Sequence, residues 1–192
     1  MDAFESLMSM LLRHDGYWTI ASFKVELTKS EKRQIERFSA PRWEIDLIAY
    51  RGSTNEVLAI ECKSFLDSRG VVFQKGEFSP AKRYKMFVDP VLRRVVLRRL
   101  AKQLVKTGAC AIAPKVTLCM AAGKIAGGSD LAGLKKHFAA KRWRLFDDQW
   151  IRDHLLTASK QGYENDVAFV VSKLLLRGKR SMVSGDGAPH AD

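Results

Sequence analysis

Two apolar segments joined by a short turn constrain the fold of this chain more than any other feature. Residues 43–50 (WEIDLIAY) alternate apolar and polar side chains, and residues 56–65 (EVLAIECKSF) have a buried-strand pattern that ends in charge. Residues 51–55 (RGSTN) have the composition of a turn. Because the aromatic and β-branched residues 17–27 precede them, the sequence predicts three strands in an antiparallel meander.

Helices are predicted before and after these strands. Asp2 can cap a first amphipathic helix, and Asp89, which is followed by proline, begins another over residues 90–107. Residues 28–42 are polar and charged, as expected of a loop or a long hairpin connection. Residues 66–88 fit a small hairpin followed by a loop or a single helical turn.

The remainder of the chain alternates between strand and helix patterns. A buried strand is predicted over residues 115–123, then a helix capped by Ser129, a short strand at residues 143–146 and two closing helices. Residues 179–192 lack apolar content and are predicted to form a disordered tail. No repeat or linker divides the sequence, so residues 1–178 are expected to form a single domain.

The charge balance favours a polyanionic partner. Lysine and arginine number 33 against 21 acidic residues, which gives a net charge of +12. The three cysteines have no CxxC spacing, so a disulfide framework and a zinc knuckle are both disfavoured and a reducing cytoplasm is the expected location. The sequence has no basic leader and no uninterrupted apolar span, so neither export nor a membrane span is expected.

The charged end of the third predicted strand indicates a metal site. Glu61 and Lys63 share one face of a strand, about 7 Å apart, while Cys62 points to the other face and is the better candidate for core packing. Pairing across the turn can place Asp46 beside Glu61. Two carboxylates about 4 Å apart repel by roughly 4 kcal/mol at an effective dielectric near 20, and one lysine offsets only part of this. A hard divalent ion such as Mg²⁺ would neutralise the pair.

An aspartate on one strand, an E-x-K tripeptide on the next and a glutamate-bearing first helix resemble the PD-(D/E)XK nuclease superfamily. Residues 4–19 (FESLMSMLLRHDGYWT) are similar to the first helix of Mrr-type restriction endonucleases and archaeal Holliday-junction resolvases. The resemblance covers roughly residues 4–122. It implies an α/β fold with a restriction-endonuclease-like αβββαβ core, a mixed central sheet flanked by helices and metal-dependent hydrolysis of DNA phosphodiester bonds. The two closing helices predicted above lie beyond this core as extra C-terminal helices.

The resemblance also assigns roles to the residues of this pattern. Asp46 and Glu61 would ligate Mg²⁺ or Mn²⁺, and the backbone carbonyl of Cys62 would add a further ligand. Lys63 would orient or deprotonate the attacking water and stabilise charge that develops on the phosphorane. The alternative for Glu61 and Lys63 is an ion pair on a half-exposed sheet, which contributes little energy.

Two more residues are candidates for the active site, each with a structural alternative. Glu5 would bind a second metal or a metal-bound water, but Asp2 to Glu5 also has the spacing of a helix capping box. Gln103, on the predicted helix over residues 90–107, is the candidate for the glutamine or lysine that many members carry after the E-x-K strand. Its alternative is an ordinary position on a helix surface.

Two groups of basic residues are candidates for contacts with nucleic-acid phosphates. The first recurs every fourth residue along the helix over residues 90–107, without an acid to pair with, and consists of Arg94, Arg98, Lys102 and Lys106, with Arg93 and Arg99 as neighbours. The second, in residues 65–88, interleaves with aromatic side chains that could stack on bases and consists of Lys75, Lys82, Arg83 and Lys85. The alternatives are a solvated helix face and a small core beneath a long loop.

These patterns together predict a Mg²⁺-dependent endonuclease that acts on DNA. A catalytically inactive nucleic-acid-binding module on the same fold and a basic, RNA-associated structural protein are the alternatives. The resemblance leaves a homodimer open, because nucleases of this kind often pair to cut two strands.

Overall fold

The computed structural model describes residues 2–38, 42–160, 162 and 165–176. The chain divides into two compact units, Met1–Ile151 and Arg152–Asp192, and the central sheet lies in the first. The sequence predicted one domain over residues 1–178, and no feature of its pattern marked a boundary near residue 151. The predicted tail, residues 179–192, lies outside the described residues. No described helix is both long and apolar enough to cross a membrane.

Helices and strands alternate along the described chain. The helices are α1 (Ala3–His14), α2 (Lys29–Gln34), α3 (Lys85–Val88), α4 (Pro90–Lys106), α5 (Gly128–Lys141), α6 (Asp148–Ser159) and α7 (Val167–Leu176). The strands are β1 (Trp18–Glu26), β2 (Arg42–Arg51), β3 (Glu56–Lys63), β4 (Val72–Gln74), β5 (Glu77–Ser79), β6 (Lys115–Ala122) and β7 (Arg144–Phe146).

Five strands form one mixed sheet in the order β1-β2-β3-β6-β7. The first three are antiparallel neighbours, which confirms the predicted meander, while β6 pairs in parallel with β3 and β7 in parallel with β6. The parallel pair β3-β6 requires a crossover, and α4 lies within it. The prediction of an α/β fold with a mixed sheet flanked by helices is therefore confirmed.

Both faces of β3 are buried. Val57 and Ala59 belong to the same core cluster as the apolar face of α4. Leu58 and Ile60 alternate with them and are also fully buried, on the face where α1 contacts the strands of the meander. Because the core takes the whole of β3 up to Ile60, charged side chains occur only at its two ends, at Glu56 and after Ile60.

The first of these ends is fixed by a buried polar network. Tyr17 donates a hydrogen bond to Glu56 at 2.9 Å and accepts one from Arg144 at 3.0 Å, and Arg144 also reaches Glu56 at 3.3 Å. Since these residues precede β1, begin β3 and begin β7, the network ties three parts of the sheet together. The acid at this end of β3 therefore has a structural partner for each of its oxygens.

Two local predictions were wrong. Residues 28–42 contain α2, because Thr28 and Glu31 form a capping box in which the Thr28 amide donates to Glu31 at 2.8 Å. The helix predicted to be capped by Ser129 has Gly127 as its N-cap instead. Asp130, in the first turn of α5, accepts a hydrogen bond from the Phe73 amide at 2.7 Å, so contact with the β4-β5 hairpin fixes where this helix begins.

Candidate active site

The predicted acids lie next to each other where the β2-β3 ladder ends. The last ladder pair at this end is Leu47 with Ile60, and Asp46 and Glu61 are the next residues on their strands. The Asp46 carboxylate accepts a hydrogen bond from the Cys62 amide at 2.7 Å, so a side chain bonds this amide at the point where the ladder stops. This bond holds Asp46 directly against the E-x-K segment.

Lys63 lies within ion-pair distance of both acids. Its Nζ atom is 3.5 Å from Glu61 Oε2 and 3.9 Å from Asp46 Oδ2. The side chains of Glu61 and Lys63 are only 15% and 17% exposed, and that of Asp46 is 26% exposed. The structure therefore brings the three predicted residues together in one partly buried group, from two neighbouring strands.

The electrostatics of this pocket show an excess of negative charge. Burial and, to a smaller extent, the charge of the nearby Asp46 carboxylate raise the pKa of Glu61 to about 7, because Lys63 only partly opposes these two effects. The single positive charge of Lys63 therefore compensates only part of the negative charge of Glu61 and Asp46. A second cation in the pocket would remove the repulsion between Glu61 and Asp46.

The residues present fit a hard divalent ion. Mg²⁺ is commonly held in proteins by one or two carboxylates and keeps several of its waters, and Asp46 and Glu61 supply such a pair of carboxylates. Among the described residues, no group of three or more His, Cys, Asp or Glu side chains is arranged to hold a metal. The side chains thus provide two ligands, and the Cys62 carbonyl stays the predicted third protein ligand.

The Cys62 thiol lies on the opposite face of β3 from Glu61 and Lys63. Burial raises its pKa strongly, and the charges of Asp46 and Glu5 raise it further. A thiol with a raised pKa is neutral and a poor nucleophile or metal ligand. This supports the interpretation of the Cys62 side chain as core packing, distinct from any role of its backbone carbonyl.

Glu5 occupies the capping box at the start of α1. Its carboxylate accepts the Asp2 amide at 3.1 Å, and Asp2 accepts the Glu5 amide at 2.8 Å. The structural alternative for Glu5 is therefore present. Glu5 belongs to α1, and its charge contributes to the raised pKa of the Cys62 thiol, which lies on the face of β3 opposite Glu61 and Lys63. Binding of a second metal by Glu5 stays a prediction.

Gln103 is engaged by the backbone of β1. Its side-chain carbonyl accepts the Glu26 amide at 2.9 Å and its amide donates to the Lys24 carbonyl at 3.1 Å. These two bonds join α4 to the end of the edge strand. Both polar groups of the Gln103 side chain are thus bonded to the β1 backbone, as its structural alternative implies, and its catalytic role stays a prediction.

A glycine that the sequence did not single out shapes the chain just after Lys63. The Gly123 amide donates to the Lys63 carbonyl at 3.0 Å, and a Cβ atom at Gly123 would lie only 2.5 Å from the Ser64 carbonyl oxygen. Only glycine allows this approach of the two chain segments. The glycine-rich composition of residues 123–130 is typical of a turn, but this contact requires the parallel pairing of β3 and β6.

The predicted phosphate-contacting residues are exposed. These are Arg94, Arg98, Lys102 and Lys106 on α4, and Lys75, Lys82, Arg83 and Lys85 around the β4-β5 hairpin and α3. Their two neighbours on α4 make contacts within the chain: Arg99 pairs with Glu31 at 3.7 Å, and Arg93 donates two hydrogen bonds from Nη1 to the carbonyls of Met86 and Phe87. Of the six basic residues of α4, only the four on successive turns lack such contacts within the described part of the chain.

The aromatic residues among the second basic group do not form a stacking surface. Phe73, Phe78, Tyr84 and Phe87 are at most 6% exposed and belong to the main core cluster. Phe78 stacks on Tyr84 with ring centroids 4.5 Å apart. Neither alternative is correct as stated, because the rings are buried but belong to the main core rather than to a separate small core beneath a loop.

Comparisons with known proteins identify no relative of this chain. No protein-family model, no curated protein and no solved structure matches the chain.

Proposed function

We propose that this chain is a metal-dependent endonuclease that hydrolyses DNA phosphodiester bonds. The observation that carries the proposal is the convergence of Asp46, Glu61 and Lys63 at the end of the β2-β3 ladder. The order of α1, three antiparallel strands, α4 and a parallel β6 supports a restriction-endonuclease-like core.

Each residue of the group has a role that its chemistry supports. Asp46 and Glu61 would hold the ion, which when bound supplies positive charge for the scissile phosphate and activates the attacking water. Asp46 is oriented by its bond from the Cys62 amide, which leaves its second oxygen for a ligand. The Lys63 ammonium lies beside both acids, where it can orient the water and stabilise negative charge that develops on phosphorus.

A basic surface supports a polyanionic substrate. The exposed residues Arg94, Arg98, Lys102 and Lys106 lie on successive turns of α4, and the sequence of this helix contains no acid. The structure gives these four residues no ion pair within 4 Å among the described residues, so their charge is available to phosphates. Binding is therefore expected to weaken steeply with added salt.

The test is cleavage of plasmid, linear, single-stranded and branched DNA, and of RNA, with Mg²⁺, Mn²⁺ or EDTA. The wild-type protein is expected to cut at least one DNA form only when a divalent ion is present. Lys63→Ala is expected to reduce the rate by at least about a hundredfold, within the usual contribution of a positioned acid-base group, and to retain DNA binding. Lys136→Ala, at an exposed lysine of α5, is the matched control and is expected to cut normally.

A second candidate function is nucleic-acid binding without cleavage. It is favoured by the α4 stripe, which does not depend on the acidic pocket. If wild type and Lys63→Ala bind DNA equally and neither cuts any substrate with either ion, the binding function replaces the nuclease. Loss of cleavage in both Lys63→Ala and Lys136→Ala would instead indicate that the assay reports folding.

A further inference from the structure

A separate cavity of about 480 Å³ lies among the β4-β5 hairpin, α3, the start of α4 and the end of α5. Its size falls within the range of roughly 300–1,000 Å³ that is typical of small-ligand sites. The lining combines aromatic rings with cationic groups and includes Phe78, Phe87, Arg93, His137, Lys141 and Trp143. None of these residues belongs to the group formed by Asp46, Glu61 and Lys63.

Arg93 is fixed in a position to bind an anion in this cavity. Its Nη1 atom donates to the carbonyls of Met86 and Phe87, at 3.1 Å each, and its guanidinium lies 4.7 Å from the ring centroid of Trp143. The Nε and Nη2 donors have no hydrogen bond to any described residue. A guanidinium whose orientation is already set loses little entropy when it binds a phosphate through its remaining donors.

Lys141 adds a second cation at the exposed rim of the cavity. It has no ion pair within 4 Å among the described residues, and Glu77 is the one acid among the described residues that line the cavity. Burial, followed by the charges of Lys141 and Arg93, lowers the pKa of His137, so its imidazole is neutral at pH 7 and adds a ring rather than a charge. The cavity therefore has a net positive lining with a neutral aromatic wall.

The aromatic wall is preformed. The ring centroid of Trp143 is 5.5 Å from that of Phe87 and 5.6 Å from that of His137, at interplanar angles of 72° and 63°. Phe87 is buried, whereas Trp143 and His137 are half-buried and line the cavity. Rings held by such contacts offer a flat group a surface without reorganisation, and bases of any identity gain energy from stacking on aromatic side chains.

We propose that this cavity binds a nucleoside phosphate, with the base against Trp143 and His137 and the phosphate on Arg93 and Lys141. The combination of an aromatic wall and two cations matches the two chemically distinct halves of such a ligand. This proposal extends the proposed nuclease function. It rests on that function in one respect only, the expectation that a DNA strand supplies the nucleotide. As a binding site it stands on its own lining.

The test is calorimetric titration of the full-length protein with deoxyadenosine 5′-monophosphate in EDTA. Lys141→Ala is expected to weaken binding about tenfold, as loss of a charged hydrogen-bond donor does, while Lys136→Ala on the same helix is expected to bind as wild type. Deoxyribose 5-phosphate, which lacks the base, is expected to bind at least about tenfold more weakly than the nucleotide. Trp143→Leu, which keeps an apolar side chain, is expected to remove this preference, and its circular dichroism spectrum checks the fold.

The proposal is overturned if the wild-type protein does not bind the nucleotide, if Lys141→Ala and Lys136→Ala bind it equally, or if the sugar phosphate binds as tightly. Displacement of the nucleotide by a single-stranded oligonucleotide would assign the cavity to a strand, and failure to displace it would assign the cavity to a free nucleotide. Because EDTA prevents metal-dependent cleavage, the outcome is independent of the Lys63→Ala test. A failure of one experiment therefore leaves the other proposal intact.

Discussion

Replacing Glu61 by glutamine tests the electrostatic account of the acidic pocket. Burial, together with the charge of the Asp46 carboxylate, raises the pKa of Glu61 from the ordinary 4.5 to about 7 against the opposing effect of Lys63. At 1.36 kcal/mol per pKa unit, the difference corresponds to about 3 kcal/mol of folding free energy. Glutamine keeps the shape of the protonated side chain and removes its ionisation.

The sign follows from proton binding. Because the folded state binds the Glu61 proton more tightly than the unfolded state, ionisation of Glu61 has no effect on stability below about pH 4.5. As the pH rises from about 4.5 to about 7, ionisation of Glu61 lowers the free energy of unfolding of the wild-type protein. The decrease is complete above about pH 7. Glu61→Gln is therefore expected to be about as stable as wild type at pH 4.5 and more stable by about 3 kcal/mol at pH 8.

The assay is urea unfolding, followed by far-UV circular dichroism, at a series of pH values from 4.5 to 8. Glu44→Gln, which removes an exposed carboxylate from β2, is the matched control and is expected to show a difference from wild type that hardly varies with pH. Addition of Mg²⁺ is expected to stabilise the wild-type protein more at pH 8 than at pH 5, and Glu61→Gln less than wild type. A difference between wild type and Glu61→Gln that stays constant across this range would refute the reasoning.

Three further changes test contacts that hold the sheet in place, one of them at the end of β3 opposite the site. Gln103→Ala removes both bonds to the β1 backbone and is expected to cost about 1–3 kcal/mol in urea unfolding, while cleavage per folded molecule is retained. Loss of cleavage without loss of stability would return Gln103 to the catalytic group. Gly123→Ala places a methyl group 2.5 Å from the Ser64 carbonyl oxygen and is expected to cost about 1–3 kcal/mol and to slow cleavage, because the chain after Lys63 must move. An unchanged cleavage rate would show that this contact does not position Lys63. Tyr17→Phe removes the hydroxyl between Glu56 and Arg144 and is expected to cost about 1–3 kcal/mol with no change in cleavage, as measured by urea unfolding and the plasmid assay.

The local sequence pattern was sufficient to predict the strands that carry the site. Alternation over residues 43–50 and an apolar run that ends at Ile60 place β2 and β3, and the turn between them fixes the register that makes Asp46 and Glu61 neighbours. Capping residues likewise fixed the starts of α1 and α4, since Asp2 and Asp89 both bond the first-turn amides as their positions predict. These features depend on residues that are close in the chain.

Functions of single side chains were predicted less well where distant partners decide them. Gln103 has a polar side chain on a basic helix, and only the approach of β1, some eighty residues earlier in the chain, gives its amide two backbone partners. Arg99 has the spacing of a phosphate-contacting residue, but the Glu26 carbonyl and the Glu31 carboxylate engage it. The sequence likewise left open whether the rings in residues 65–88 are exposed or buried, and the structure shows that Phe78 packs against Tyr84 and Phe87 in the core.

The sequence by itself determined an α/β chain with an antiparallel meander and an acid-acid-lysine group at the end of its third strand, because periodicity and turn chemistry are local properties. Only the tertiary structure decided that Glu61 is buried enough for its pKa to rise, that Gly123 must admit the Ser64 carbonyl, and that Arg93, His137, Lys141 and Trp143 line one cavity. Burial and long-range contacts are set by how elements pack, and no spacing along the chain encodes them.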